Sequence, residues 1–346
     1  MLKLVISETD MEKDINRFKD GYWKEKYYRW RKADEFFNQF HLNYNLFDQS
    51  AEDIINVYKD LLWRIKSVCP ANYYNIHKGI PFFSIGLSSF FLKHYDHAIF
   101  YLDAAIAEDK KNHDNKELIL GSWAPKFFLL ESKEYLHFYN QGVSLAPDLE
   151  NLLRHELERF NLKSNSNLTV NDFKDKFITK IIFNENTAII TTLYTFIFQK
   201  EEVLEMIRLR GKHGGSIEPM ITHLFKGTLI FETLMKKHYL DKYMQKHPKE
   251  KSHKVNLGNL INFNYVQGKY NFSNSKHCRA SSIGKILKFL DDEPYSLETT
   301  FYVTCKIRNT AGHYLLWTDL FTERNYKTFY DNILDAIFYL IREEYI

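Results

Sequence analysis

The stretch IPFFSIGLSSFFLKHYDHAIFYLDAAIAEDKK, Ile80 to Lys111, decides the fold. Two apolar segments of helical period flank the polar KHYD, so the stretch reads as two helices joined by a tight turn. Gly86 falls where the two backbones must approach, with Ala98 and Ala105 on the facing side. Small residues at facing positions describe an antiparallel helix hairpin.

The composition extends that reading to the whole chain. Its 346 residues, 45% hydrophobic and 26% charged, can bury one large core or two to three smaller ones. Aromatic residues make up 16%, with 28 Phe and 23 Tyr, whereas Gly (13) and Pro (7) are few, which favours long helices over a turn-rich sandwich. An all-α fold is expected. The formal net charge of +3 permits nucleic-acid binding without demanding it. Cys69, Cys278 and Cys305 have no paired spacing, which argues for a reducing compartment, taken here as the cytoplasm, and against a thiolate metal site. No stretch reaches the ~18 apolar residues that a membrane-crossing helix needs, and MLKLVISETDMEKD has no signal-type apolar region.

The hairpin at Ile80–Lys111 resembles a tetratricopeptide repeat, with Phe82, Ile85, Gly86, Ala98, Leu102 and Ala105 at the expected offsets. Lys110 or Lys111 stands where such repeats carry proline, and no second copy follows at an offset of about 34 residues, so the expectation is one repeat-like hairpin within a helical array. Before it, Asp10 to Phe40, which contains GYWKEKYYRWRKADEFFNQF, fits an amphipathic helix with its aromatic stripe turned inward. Glu25, Asp34 and Glu35 dilute the positive face and weaken the competing reading of a base-stacking surface. A further helix spans Ala51 to Lys66, closed by Cys69-Pro70. NLKSNSNLTVND, Asn161 to Asp172, is linker-like and precedes a helix capped near Thr169 or Asn171. FITKIIFNENTAIITTLYTFIF, Phe177 to Phe198, is β-branched enough for strands, although NENT could equally join two buried helices.

RGKHGGSIEP, Arg210 to Pro219, sets Gly211, Gly214 and Gly215 beside Arg210, Lys212 and His213, ahead of a helix capped by Ser216. Backbone N–H groups at such a helix start can hold a phosphate, so Arg210 and Lys212 are candidate substrate-binding residues; a plain turn is the competing reading, because no Gly-Lys-Ser/Thr triplet completes a P-loop. The helix from Ile217 to Tyr239 gives way to an exposed polar stretch, KYMQKHPKEKSHK, and then to an irregular region up to Ser281. His94, His97, His238, His247 and His253 read as solvated surface, and His277 as a further candidate substrate contact. No His-Glu-x-x-His, Cys-x-x-Cys or paired acidic set is present, so neither metal nor cofactor is expected.

The last third returns to helix: SSIGKILKFLDD, then Leu297 to about Leu320, then Asn325 to the C-terminus. Within the middle one, CKIRNTAGHYLLW places Arg308, Asn309 and His313 in an otherwise apolar run, where an unpaired buried charge costs several kcal/mol, roughly. At about 100° per residue Asn309 and His313 share a face, while Arg308 lies roughly 140° from His313 around the axis. Two such helices crossing at a symmetry axis would gather two arginines and two histidines in one cleft. The competing reading makes Arg308 a surface residue and His313 a satisfied core histidine.

Arg308-Asn309-Thr310-Ala311-Gly312-His313 resembles the Arg-x4–6-His motif of the HEPN superfamily of helical nucleases, over roughly Ile217 to Ile346. The resemblance implies a metal-independent endoribonuclease working as a homodimer, with Arg308, Asn309 and His313 as its catalytic residues. A histidine of ordinary pKa near ~6.5 exchanges protons with the ribose 2′-hydroxyl or the leaving 5′-oxygen, and arginine binds the phosphate charge. Attack by the 2′-oxygen leaves a 2′,3′-cyclic phosphate and a 5′-hydroxyl. Members of this superfamily in prokaryotes are often toxins or antiviral defence effectors under the control of an accessory region. The expected organisation is a tetratricopeptide-like helical region at 1–162 offering a surface to a protein partner or regulator, a connecting helical segment at 163–216, and a HEPN-like helical bundle at 217–346. The alternative is a non-catalytic helical adaptor that dimerises through its C-terminal domain.

Overall fold

The computed structural model describes residues 8–16, 29–46, 49–71, 73–112, 119, 122–129, 145–184, 187–210, 217–272, 283–292, 295–311 and 322–346. The protein is all-α, with no strand among the described residues. It divides into two compact units, residues 1–150 and 151–346.

The first unit contains α1 (Glu8–Asn16), α2 (Arg29–Asn43), α3 (Ala51–Val68), α4 (Gly79–Phe91), α5 (Tyr95–Asn112) and α6 (Trp123–Phe128). Ser50 starts α3 by accepting a hydrogen bond from the Asp53 N–H at 3.1 Å, which satisfies one of the orphan donors of the first turn. The aromatic stripe of α2 turns inward, where Phe37 and Phe40 pack with Tyr58, Leu61 and Ile65 of α3. α4 and α5 form the antiparallel hairpin: the start of α4 lies against the end of α5 at Gly79 and Asp109, and Phe90 meets Tyr95 near the turn. A β-carbon at Gly86 would come within 2.8 Å of Leu102 Cγ and 3.0 Å of the Ala98 carbonyl oxygen, so the helices touch at a point only glycine permits. His94 and His97 are exposed at this turn.

The second unit is organised around α11 (Glu218–Lys246), α15 (Leu297–Ala311) and α16 (Glu323–Tyr345), three helices in mutual contact. α16 is its spine, buried continuously from Asn332 to Ile341. Its one buried amide is satisfied, because Asn332 Nδ2 donates to the Thr300 carbonyl at 3.1 Å and to Thr304 Oγ1 at 3.0 Å on α15. Gly227 of α11 fits between Phe196 and Ile333, each within 2.8 Å of where a β-carbon would stand.

Around these pack α7 (Leu145–Ser164), α8 (residues 170–184), α9 (Ala188–Phe198), α10 (Lys200–Arg210), α12 (Leu257–Ile261), α13 (Asn264–Lys269) and α14 (Ile283–Asp292). The linker-like Asn161–Asp172 is an ordered corner. The Asn161 side chain exchanges hydrogen bonds with both backbone groups of Leu168, at 2.9 and 3.0 Å, and Thr169 and Asp172 then close a capping box that starts α8. α8 passes through a π-helical stretch at Phe173–Ile178, and its Phe173 and Phe177 meet Phe338 and Tyr345 of α16. Residues of the 163–216 segment therefore pack within the second unit.

The β-branched run at 188–198 is helical. Thr192 and Thr195 return their hydroxyls to carbonyls one turn back, at 2.6 and 2.7 Å, so the polar groups that favour other conformations are satisfied inside the helix. α11 continues seven residues beyond Tyr239, because Tyr243, one turn on, is buried as well and extends its apolar face. The irregular region that follows contains α12, whose first turn is closed by a reciprocal box between Asn256 and Asn259. His238 departs from the surface reading: its side chain is 16% exposed, and burial brings its pKa down to about 4.

Candidate active site

The motif helix α15 holds its inner face with Phe301, Val303 and Ile307, all fully buried. That register leaves Arg308 partly exposed and Asn309 exposed, near the helix's C-terminal end. Arg308 extends to α11, where its Nε donates to Glu232 Oε2 at 2.7 Å. Glu232 also receives Lys236 Nζ on its other oxygen at 2.7 Å, one turn along the same helix. Burial pushes the Glu232 carboxyl up, but the hydrogen bonds from Lys236 and Arg308 outweigh it and hold the group below the usual carboxylate range. The carboxylate is thus ionised, 6% exposed and doubly paired, while the arginine it grips is 27% exposed.

The bond to Glu232 engages Nε alone. The two Nη groups lie at the far end of the planar fork, the end suited to a phosphate or carboxylate. A guanidinium fixed from behind reaches an anion without losing further side-chain freedom. Asn309 diverges from it: its Nδ2 rests 3.8 Å from Cys305 Sγ on its own helix. Cys305 in turn faces α12, where a β-carbon on Gly258 would stand 3.8 Å from its sulfur.

Of the other residues singled out in the sequence, Arg210 is the last residue of α10, a helix that packs on α11 and α16, and its side chain is half-buried. His313, Lys212 and His277 lie outside the described residues. The sequence did not single out Glu232. Its i, i+4 pairing with Lys236 is legible as a helix-surface pair, but its reach to Arg308 depends on how α11 and α15 cross.

Among the described residues no group of three or more His, Cys, Asp or Glu side chains is placed to hold a metal ion, and no helix is long and apolar enough to cross a membrane. Comparison of the chain with protein-family models, curated proteins and solved structures returns no match.

Proposed function

We propose that this protein is a metal-independent endoribonuclease of the HEPN type, acting as a homodimer in which two copies of α15 face one another. The observation that carries the reading is the Arg308–Glu232 pair, which fixes a partly exposed guanidinium near the end of a core helix, next in sequence to an exposed asparagine. In this reading Arg308 binds the scissile phosphate and offsets the charge that builds as the 2′-oxygen attacks. His313 takes the 2′-hydroxyl proton or delivers one to the departing 5′-oxygen, and Asn309 orients the imidazole or the phosphate. The reaction needs no cofactor, and DNA lacks the attacking hydroxyl. The setting proposed is the cytoplasm of a prokaryote, as a toxin or antiviral defence effector whose N-terminal helical array receives a protein regulator.

A second reading, a non-catalytic helical adaptor that dimerises through its C-terminal unit, draws on the same ion pair, since Glu232 satisfies Arg308 within one chain. Incubation of single-stranded RNA with the purified protein in EDTA separates the two. The nuclease yields fragments ending in 2′,3′-cyclic phosphate, and Arg308→Ala and His313→Ala each remove the cleavage while the protein stays folded and dimeric. Under the adaptor reading there are no such fragments, with or without cellular activators.

A further inference from the structure

Beside the motif helix, the second unit carries a cleft of about 1100 Å³ formed where the end of α11 meets α12 and α13. Its wall is unlike the apolar core. Lys242 and Lys246, both exposed, line the cleft, and the chain that follows carries exposed Lys249, Lys251 and Lys254 with Glu250 among them. Aromatic rings share this lining: Tyr265, 47% exposed, is stacked on Phe263 at 6.1 Å, and the exposed ring of His247 is stacked on Tyr243 at 4.3 Å. Lys242 Nζ lies 4.3 Å from the Tyr265 ring centre and donates to its hydroxyl at 2.9 Å, so the charge is held against the ring. Amides complete the lining. Asn256 and Asn259 use Oδ1 in their helix cap, which leaves the amide N–H groups outside that duty.

The cleft is tied to the motif helix at two points. Gly258, in its wall, faces Cys305, which Asn309 also touches, and Asn262, also in its wall, accepts a hydrogen bond from Tyr302 at 3.3 Å. Lys242 follows Glu232 by ten positions on α11, about 15 Å along the axis. Lysines that track a backbone, partly exposed rings and amides able to meet base edges are the components of a sequence-tolerant single-strand site. A duplex keeps its bases stacked inside and offers such rings nothing.

We infer that this cleft binds single-stranded RNA and holds the strand beside the Arg308 motif. The inference deepens the ribonuclease reading and rests on it for the identity of the polymer.

The test uses the full chain and a fluorescent single-stranded RNA with 2′-O-methyl groups, which cannot be cut, read by anisotropy over a salt series. Tyr265→Ala is expected to weaken binding about tenfold, the loss of one stacked base. Tyr265→Phe, which keeps the ring, retains it. Lys242→Gln with Lys246→Gln reduces the salt slope by about 1.4, at ~0.7 per neutralised phosphate on a single strand. Lys66→Gln, in the other unit, changes nothing, and unfolding temperatures confirm that each variant is folded. Equal affinity in wild type, Tyr265→Ala and the double lysine variant overturns the inference, as does a duplex of the same length binding as tightly as the single strand. Cleavage of ordinary RNA is scored separately. Intact cleavage with binding indifferent to these variants sinks the cleft and spares the nuclease; binding lost in the variants without cleavage by wild type does the reverse.

Discussion

Arg308 on α15 and Glu232 on α11, 76 positions apart in the chain, meet at 2.7 Å across a helix crossing. The carboxylate is the buried partner and the guanidinium the exposed one, so the pair aims the arginine outward instead of sealing it in. Glu232 is therefore a positioning residue in the proposed reaction. Glu232→Gln should lower kcat with little change in KM, because the fork loses its fixed orientation while its charge remains. The variant should unfold at a denaturant free energy lower by about 1–3 kcal/mol, the worth of hydrogen bonds to a charged group. Since the Glu232 pKa is depressed, its stabilisation is present above the carboxylate's ordinary 4.5 and is lost as pH falls below it. Wild type and variant should thus converge in acid, and a gap that stays constant from pH 7 to pH 3 would contradict the pairing.

Arg308→Lys separates charge from geometry. Lysine keeps the positive charge but has no planar fork to hold Glu232 and a phosphate at once. A cleavage rate reduced by about a hundredfold or more is expected, comparable to losing one preorganised transition-state donor. Full activity in Arg308→Lys would mean that a point charge suffices.

His77, in the first unit, predicts a dependence at the other end of the pH scale. Its ring lies between Asp34 at 2.8 Å and Asp109 at 3.1 Å, with Ser122 donating to the second oxygen of Asp109 at 2.6 Å. Burial lowers the His77 pKa, but the hydrogen bonds to Asp109 and Asp34 more than reverse that and raise it to about 9. The stabilisation is complete below 6.5 and is lost as pH rises from there through 9, on the order of 3 kcal/mol in all. Urea unfolding at pH 6 and pH 9 should show this loss in wild type, and His77→Gln should flatten it.

A buried ionic network joins α7 to α16. Arg159 lies 2.6 Å from Asp335, which is fully buried, and 2.9 Å from Glu156, which also takes Lys200 at 2.6 Å. Burial raises the Asp335 carboxyl, and Arg159 only partly offsets it. Arg159→Met strands that carboxylate and should cost about 3–5 kcal/mol, with Asp335→Leu added to it recovering most of the loss. Equilibrium denaturation of the single and double variants checks this, and a double variant no better than the single would show that the ion pair is not the cause.

Gly86→Ala tests the hairpin. The new methyl meets Leu102 Cγ at 2.8 Å and the Ala98 carbonyl at 3.0 Å, and a backbone carbonyl cannot swing away as a flexible side chain can. The expected cost is about 1–3 kcal/mol, the usual range for overpacking, despite alanine's better helix propensity. A more stable Gly86→Ala protein would mean that the helices are not in contact there.

The chain's own order of residues determined the helices and the α4–α5 pairing. Period, caps and scarce glycine are local properties, so α3, the α4–α5 hairpin, the Thr169 cap and α16 could be read directly from sequence. Extents that depend on burial could not: α11 runs to Lys246 because Tyr243 finds a core to enter, and 188–198 is helical because its threonines are satisfied and its faces covered. The motif Arg308-Asn309 was likewise visible as a sequence oddity, whereas its partner was not. Glu232 reaches Arg308 only because α11 and α15 cross at that height, and Lys242, Tyr265 and Asn262 share a cleft only because α12 and α13 fold back on the end of α11. Such pairings belong to no local pattern. They exist once distant helices bury their apolar faces together, and the polar groups left at the rim are those that the packing brings within reach.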